Sequence, residues 1–202
     1  MPLDPHMVTV SGRRISLYTP DPAAIDLDDM AHHLAMINRY NGATKEPFVV
    51  AQHSEIVCDI LAACGYGPLV QFHGLIHDAP EYVTGDVITP MKQALFGDTG
   101  LPTDLDEIED GINRAIYKRF GIDPPSTRIL DVVHLADRIA LANEWRDLMP
   151  KSHPCPTTAD PSPYIKRIFA YPWQLARRRF LEAFRRLAPA AGIVLSDAQA
   201  SA

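Results

Sequence analysis

Gln71-Phe72-His73-Gly74-Leu75-Ile76-His77-Asp78-Ala79-Pro80-Glu81 is the stretch around which the rest of the chain is read. Leu69, Phe72, Leu75 and Ile76 recur at helical spacing after Pro68. Proline is tolerated at a first helical position because the N–H it lacks would have no partner there. A helix with one buried face therefore runs into His77. At its C-terminal end an imidazole and a carboxylate stand side by side, with Glu81 about a turn later. These groups are the raw material of a divalent metal site with its own general acid, and the stretch is the candidate active site.

Upstream, Val49, His53, Ile56, Val57, Ile60, Leu61 and Cys64 fall on one helical face that Gly65 and Gly67 stop, so His53 points inward. Before it, Asp26 reads as an N-cap, Asp28 and Asp29 suit a helix N-terminus, and Leu27, Met30, Leu34 and Ile37 form a stripe. That predicts a helix over about Leu27 to Tyr40. Val8-Thr9-Val10-Ser11-Gly12-Arg13-Arg14-Ile15-Ser16-Leu17-Tyr18, two alternating segments split by Ser-Gly, predicts a small β-hairpin.

Downstream, Asp86 to Lys92 and Gly97 to Pro102 read as a loop with short helical turns. A helix follows from Thr103 or Asp104 to Phe120, acidic early and basic late as the helix dipole prefers, with Gly121 as its cap. Pro124-Pro125-Ser126 starts the longest helix, in which Leu130, Val133, Asp137, Ala140, Leu141 and Leu148 recur at three- and four-residue spacing. Residues 151–163 are a proline-rich polar loop. Pro172 to Leu187 form a last amphipathic helix, with Arg177, Arg178, Arg179, Arg185 and Arg186 mostly outward as a solvated face or an oligomer contact, and a frayed tail over about 189–202. The expected fold is an all-α bundle with a hairpin extension over residues 1–20, the whole of 1–202 being a single domain.

The totals agree with this. A chain of 202 residues that is 47% hydrophobic can build one substantial core, and a net charge of -6 argues against binding to nucleic acid polymers or anionic membranes. Cys58, Cys64 and Cys155 are an odd set without metal-finger spacing, which predicts a reduced, cytoplasmic setting, with Cys58 and Cys64 as small core residues. His153 and Cys155 lack the spacing to form a site with each other. No apolar run has the length of a membrane span.

His53, the His77-Asp78 pair and Asp137 are polar residues at positions where apolar ones are expected. A buried, unpaired carboxylate costs several kcal/mol at least, so each calls for a partner or a metal. Two imidazoles and two carboxylates suit Zn²⁺, Mn²⁺, Fe²⁺, Co²⁺ or Ni²⁺. Other readings of the same residues stand beside this one: His73 and His77, at i and i+4, could chelate a metal without His53, and Asp137 could pair with Arg138.

The order His53, His77-Asp78, Asp137 resembles the metal motif of the HD-domain phosphohydrolases, and the likeness extends over nearly the whole chain. Within that superfamily the chain is similar to the small nucleotide phosphohydrolases, the group of the bacterial 5′-deoxynucleotidase and the phage dATP triphosphohydrolase. The segments that carry the likeness are Ile37-Asn38-Arg39-Tyr40, Val50-Ala51-Gln52-His53-Ser54, His77-Asp78-Ala79-Pro80-Glu81, Thr84-Gly85-Asp86, Thr89-Pro90-Met91-Lys92 and Leu135-Ala136-Asp137-Arg138. The resemblance implies an HD-domain helical bundle with one divalent transition metal per subunit on His53, His77, Asp78 and Asp137, and Glu81 as catalytic acid or base. It implies that Asp86 binds the sugar hydroxyl, that Arg39 and Lys92 hold phosphate, and that Tyr40, where the deoxynucleotidase has tryptophan, crowds the sugar 2′ position.

The expected activity is cleavage of the 5′-phosphoester of a (deoxy)nucleotide, releasing nucleoside and either phosphate or triphosphate, in a homodimer or homohexamer as among relatives. The alternatives are a non-catalytic nucleotide-binding scaffold or an HD hydrolase of another phosphorylated metabolite. Hydrolases of guanosine tetraphosphate usually have a second acid directly after the equivalent of Glu81, where this chain has Tyr82.

Overall fold

The computed structural model describes residues 4–97, 101–163 and 165–195. Among these, a two-stranded antiparallel hairpin, β1 (His6–Val8) with β2 (Arg14–Ser16), precedes eight helices: α1 (Leu27–Met36), α2 (Val50–Ala63), α3 (Pro68–Leu75), α4 (Glu81–Thr84), α5 (Thr89–Phe96), α6 (Asp104–Phe120), α7 (Thr127–Leu148) and α8 (Trp173–Ala190). Met7 pairs with Ile15, and Ile15 delivers the hairpin's buried side chain. The architecture is the expected all-α bundle with an N-terminal β-hairpin. No described helix is long and apolar enough to cross a membrane.

Caps set the helix boundaries. Asp26 accepts from the backbone N–H groups of Asp28 and Asp29, which start α1. Thr103 and Asp106 form a reciprocal capping box at α6, whose end is closed by Gly121 in the left-handed region. Ser126 caps α7 by accepting from Ile129 N–H. Asp29 is almost fully buried and satisfied, because Thr9 and Ser11 of the hairpin turn each donate a hydroxyl to it at 2.6 Å. The hairpin is thereby fastened to α1.

The apolar residues separate into two clusters with α2 between them. One gathers α1, α3, α6 and α8 around Met30, Leu34, Phe72, Ile116, Phe120, Phe180 and Phe184, and takes Val50, Ala51 and Cys58 from α2. The other gathers α7 and Phe48 around Val57, Ile60 and Leu61 on the opposite side of α2. A helix sandwiched in this way buries every residue from Val50 to Cys58, polar ones included.

Several boundaries differ from the sequence reading. Helix α1 stops at Met36, not Tyr40, because Ile37 and Asn38 turn extended and Asn38 bridges to Val49. Residues Arg39–Gly42 then form a tight turn in which Tyr40 and Asn41 adopt positive φ of 57° and 50°. His77 and Asp78 lie in the turn after α3 rather than on the helix. Where a loop with short helical turns is expected, an eight-residue helix, α5, forms over Thr89–Phe96. In α7 Leu130 is exposed, whereas Val133 and Ala140 of the expected stripe are buried, together with Ala136, Ala142, Asn143 and Glu144. Helix α8 runs to Ala190, and Ile193 beyond it is buried, so the frayed tail is not found up to residue 195, and 196–202 lie outside the described residues. Cys58 is buried as expected, whereas Cys64 caps α2 exposed to solvent.

Candidate metal centre

Three elements bring a nitrogen or oxygen to one point. His53 comes from the buried first turn of α2, His77 from the turn after α3, and Asp137 from α7, with one ligand atom of each within 4.8 Å of the others. His53 Nε2 lies 3.1 Å from Asp137 Oδ1 and 3.3 Å from His77 Nε2. Gly74 lets α3 approach α2, since a Cβ on Gly74 would collide with Leu61 Cδ1.

Each imidazole is aimed from behind. His77 Nδ1 faces the Gly74 carbonyl at 2.8 Å, and since a carbonyl only accepts, Nδ1 carries the hydrogen and Nε2 is left with its lone pair. His53 Nδ1 donates to Glu144 Oε1 at 2.6 Å and likewise turns Nε2 to the centre. Two ring nitrogens 3.3 Å apart cannot both present lone pairs to one another without a cation between them. The donor set therefore fits a divalent transition metal. Without one a proton takes that role: burial and the Arg39 charge lower His53, but the Glu144 charge and the hydrogen bonds to Asp137 and Glu144 outweigh them, and its pKa is pushed up to about 10. Asp137 is held well below the usual carboxylate range, the hydrogen bond and charge of His53 overcoming its burial.

Asp78 is not one of the three converging residues but stands against both rings, 3.2 Å from His77 Nε2 and 3.4 Å from His53 Nε2. Its Oδ2 also lies 3.4 Å from Arg39 Nη1. Glu81 opens α4 beside it, with Oε2 buried and without a hydrogen-bond partner among the described residues. Burial first, and then the negative charges of Asp78 and Asp86, push Glu81 up to about 10, so it carries a proton at neutral pH. Burial also raises Asp86, against the pull of Arg39.

The substrate-side expectations divide. Arg39, Tyr40 and Asp86 gather at the site, Arg39 being nearly buried between Asp78 and Glu144. Lys92 does not join them: it projects from α5 to Glu109 of α6 at 3.5 Å. His73 is also elsewhere, its ring packed edge-on against Phe72 and Tyr117. His73 is not part of the converging group found among the described residues, and Asp137 pairs with His53.

Sequence reading missed Glu144. It is completely buried and accepts from His53 Nδ1, from Tyr40 Oη at 2.5 Å and from Arg39 Nε at 3.3 Å. Burial alone would raise its pKa, but the charges of His53 and Arg39 bring it down to about 2. A signal existed, because Glu144 lies two helical turns after Asp137 and shares its face. The predicted stripe passes through that position from Asp137 and Leu141 to Leu148, but a glutamate is by default a solvated residue.

No family model matches the chain. It is 39% identical over 117 residues to an uncharacterized protein of Rhodobacter capsulatus, covering 56% of this chain and 57% of that protein. It is 30% identical over 140 residues to the uncharacterized protein YfdR of Escherichia coli (strain K12), covering 69% of this chain and 70% of YfdR. A shorter match, 35% identical over 78 residues and 38% of each chain, is to the dATP triphosphohydrolase of Acinetobacter phage SH-Ab 15497.

Proposed function

This chain belongs to the same family as Escherichia coli YfdR, and we propose that it is a metal-dependent phosphohydrolase of the HD type that cleaves the 5′-phosphoester of (deoxy)nucleotides, with dATP as the first substrate to try. The observation that carries the reading is the convergence of His53, His77 and Asp137 from three elements beside a buried, protonated Glu81. The activity named for the phage relative supports a nucleoside triphosphate as substrate, with triphosphate as the released group. Residues 1–202 are taken as one HD domain acting in the cytoplasm as a homodimer or homohexamer, with neither nucleic acid polymers nor membranes as partners.

His53, His77, Asp78 and Asp137 hold the metal in this proposal. A divalent ion of the Co, Mn, Zn, Fe or Ni type supplies Lewis-acid charge for the developing negative charge on the phosphoryl group. The protein's own groups do the rest. A water attacks the phosphorus as the bond from phosphorus to the nucleoside oxygen breaks; Glu81, already protonated, donates to that departing oxygen and recovers a proton from the water. Arg39, fixed through Nε to Glu144, presents its guanidinium to the phosphate beside Asp78. Asp86 accepts from a sugar hydroxyl, and the Tyr40 ring closes the sugar side. Lys92 reaches a phosphate only by leaving Glu109.

The test is a panel of nucleoside mono-, di- and triphosphates, ribo and deoxy, incubated with Co²⁺ or Mn²⁺, with phosphate, pyrophosphate and triphosphate measured separately. The expected result is nucleoside plus one phosphate product, abolished by Glu81→Ala. No product above the Glu81→Ala background with any of them sinks the reading.

A further inference from the structure

Glu144 is a charged group at zero exposure, and a carboxylate in that position is costly unless several donors compensate it. Its two oxygens divide their partners. Oε1 takes the hydrogen of His53 Nδ1, and Oε2 takes both the Tyr40 hydroxyl and Arg39 Nε. The first partner presents its other nitrogen to the metal centre, and the other two form the substrate side of the same site. Tyr40 is moreover in a left-handed conformation that a bulky side chain rarely adopts, and its phenol is tied down by Glu144. The turn that carries Arg39 and Tyr40 is far from α7 in sequence, and α7 holds it by this carboxylate, the polar contact shared by both residues, with Trp145 edge-on against the Tyr40 ring beside it.

We infer that Glu144 is a positioning residue that couples the aim of metal ligand His53 to the placement of Arg39 and Tyr40, so that metal binding and substrate grip depend on one buried carboxylate. The inference rests on the metal-site part of the proposed function and not on the hydrolytic activity. Carboxylates behind metal-binding histidines change metal affinity by about 10- to 100-fold when replaced. A link to Tyr40 adds something that a local support of His53 lacks: the Tyr40 hydroxyl, which touches no ligand atom of the centre, affects metal affinity through Glu144.

The experiment measures Co²⁺ affinity by competition against a chromogenic chelator, together with the visible Co²⁺ absorption, in the wild type, Glu144→Gln, Tyr40→Phe and the double variant. Glu144→Gln is expected to weaken Co²⁺ binding about 10- to 100-fold. Tyr40→Phe is expected to change the affinity at least about twofold in the wild type and to have no further effect on Glu144→Gln. Wild-type Co²⁺ affinity in Glu144→Gln, or in Tyr40→Phe, overturns the inference, as does strict additivity of the two. Should Glu144→Gln fail to fold, Tyr40→Phe alone decides it. A chain that binds Co²⁺ with this coupling but hydrolyses no nucleotide keeps the inference and loses the phosphohydrolase reading. Hydrolysis with uncoupled metal binding does the reverse.

Discussion

Helices α2 and α8 touch one another and are built on opposite plans. Helix α8 is amphipathic: Ala176, Phe180, Leu181, Phe184, Leu187 and Ala188 form one buried face, and its arginines lie outside it, Arg178 pairing with Glu182 along the helix, Arg177 with Asp28, and Arg179 with Glu55. Helix α2 has no solvent face over its first nine residues, so Gln52, His53 and Glu55 must each find partners inside the protein. Gln52 donates to Phe169 O and accepts from Tyr171 N–H, Glu55 accepts from Tyr171 Oη and Arg179 Nε, and His53 donates to Glu144. An amphipathic helix spends its polar residues on water. A helix buried all round spends Gln52, His53 and Glu55 on specific partners, leaving Ser54 Oγ buried without one among the described residues, and there the candidate site sits.

The contrast can be broken or sharpened by replacement. The largest effect is expected at Glu81: Glu81→Gln should lower turnover about 10²- to 10⁴-fold, as for loss of a general acid, while Co²⁺ affinity stays near wild type. Turnover within tenfold of wild type removes Glu81 from the chemistry. On the α8 side, Phe184→Ala should cost about 3–5 kcal/mol of stability, because its ring packs fully buried between Phe72 and Phe120. Chemical denaturation measures it, and a cost near zero would mean that α8 does not close the core.

Gly74→Ala tests the close approach of α3 to α2, and should cost about 1–3 kcal/mol because the Leu61 side chain is itself buried and cannot move freely. The same variant should weaken metal binding by displacing His77. A stable variant with unchanged Co²⁺ affinity would show that the gap between the helices is not tight.

His53 makes the site sensitive to pH. Its folded pKa of about 10 lies above the ordinary 6.5, so this histidine stabilises the metal-free protein below pH 6.5 and loses that contribution as pH rises through 10. Metal binding runs the other way, since the ion must displace that proton. Affinity should rise about tenfold per pH unit between pH 6 and 8, or about 1.4 kcal/mol per unit, with one proton released. Calorimetry in buffers of different ionisation enthalpy counts the proton, and a count of zero means that His53 is not a ligand. The smallest effect belongs to the outward face of α8: Arg178→Ala should change stability by less than about 0.5 kcal/mol, its partner Glu182 being as exposed as itself. A thermal shift of several degrees would make that face an interface.

Helix α8 was legible because its periodicity is local and its environment two-sided. The end of α1 was not, because Ile37 and Asn38 leave the helix for a bridge with Val49, a partner no local pattern names. Lys92 has the charge for a phosphate contact, but Glu109 stands 3.5 Å away on the neighbouring helix. Glu144 stayed hidden because a glutamate is by default solvated, and its partners His53, Arg39 and Tyr40 lie about a hundred residues away in the chain.

By itself the sequence determined the long helices, most of their caps, the presence of His53, His77, Asp78 and Asp137 as polar groups at apolar positions, and Glu81 a turn beyond Asp78, since these follow from spacing and side-chain chemistry within one segment. The tertiary structure decided which of them meet. Packing on both sides of α2 turned His53 from an inward residue into one end of a buried charge network, and only the approach of α7 placed Glu144 behind it. Burial converts spacing into electrostatics, and the partners that satisfy a buried charge come from elements distant in the chain.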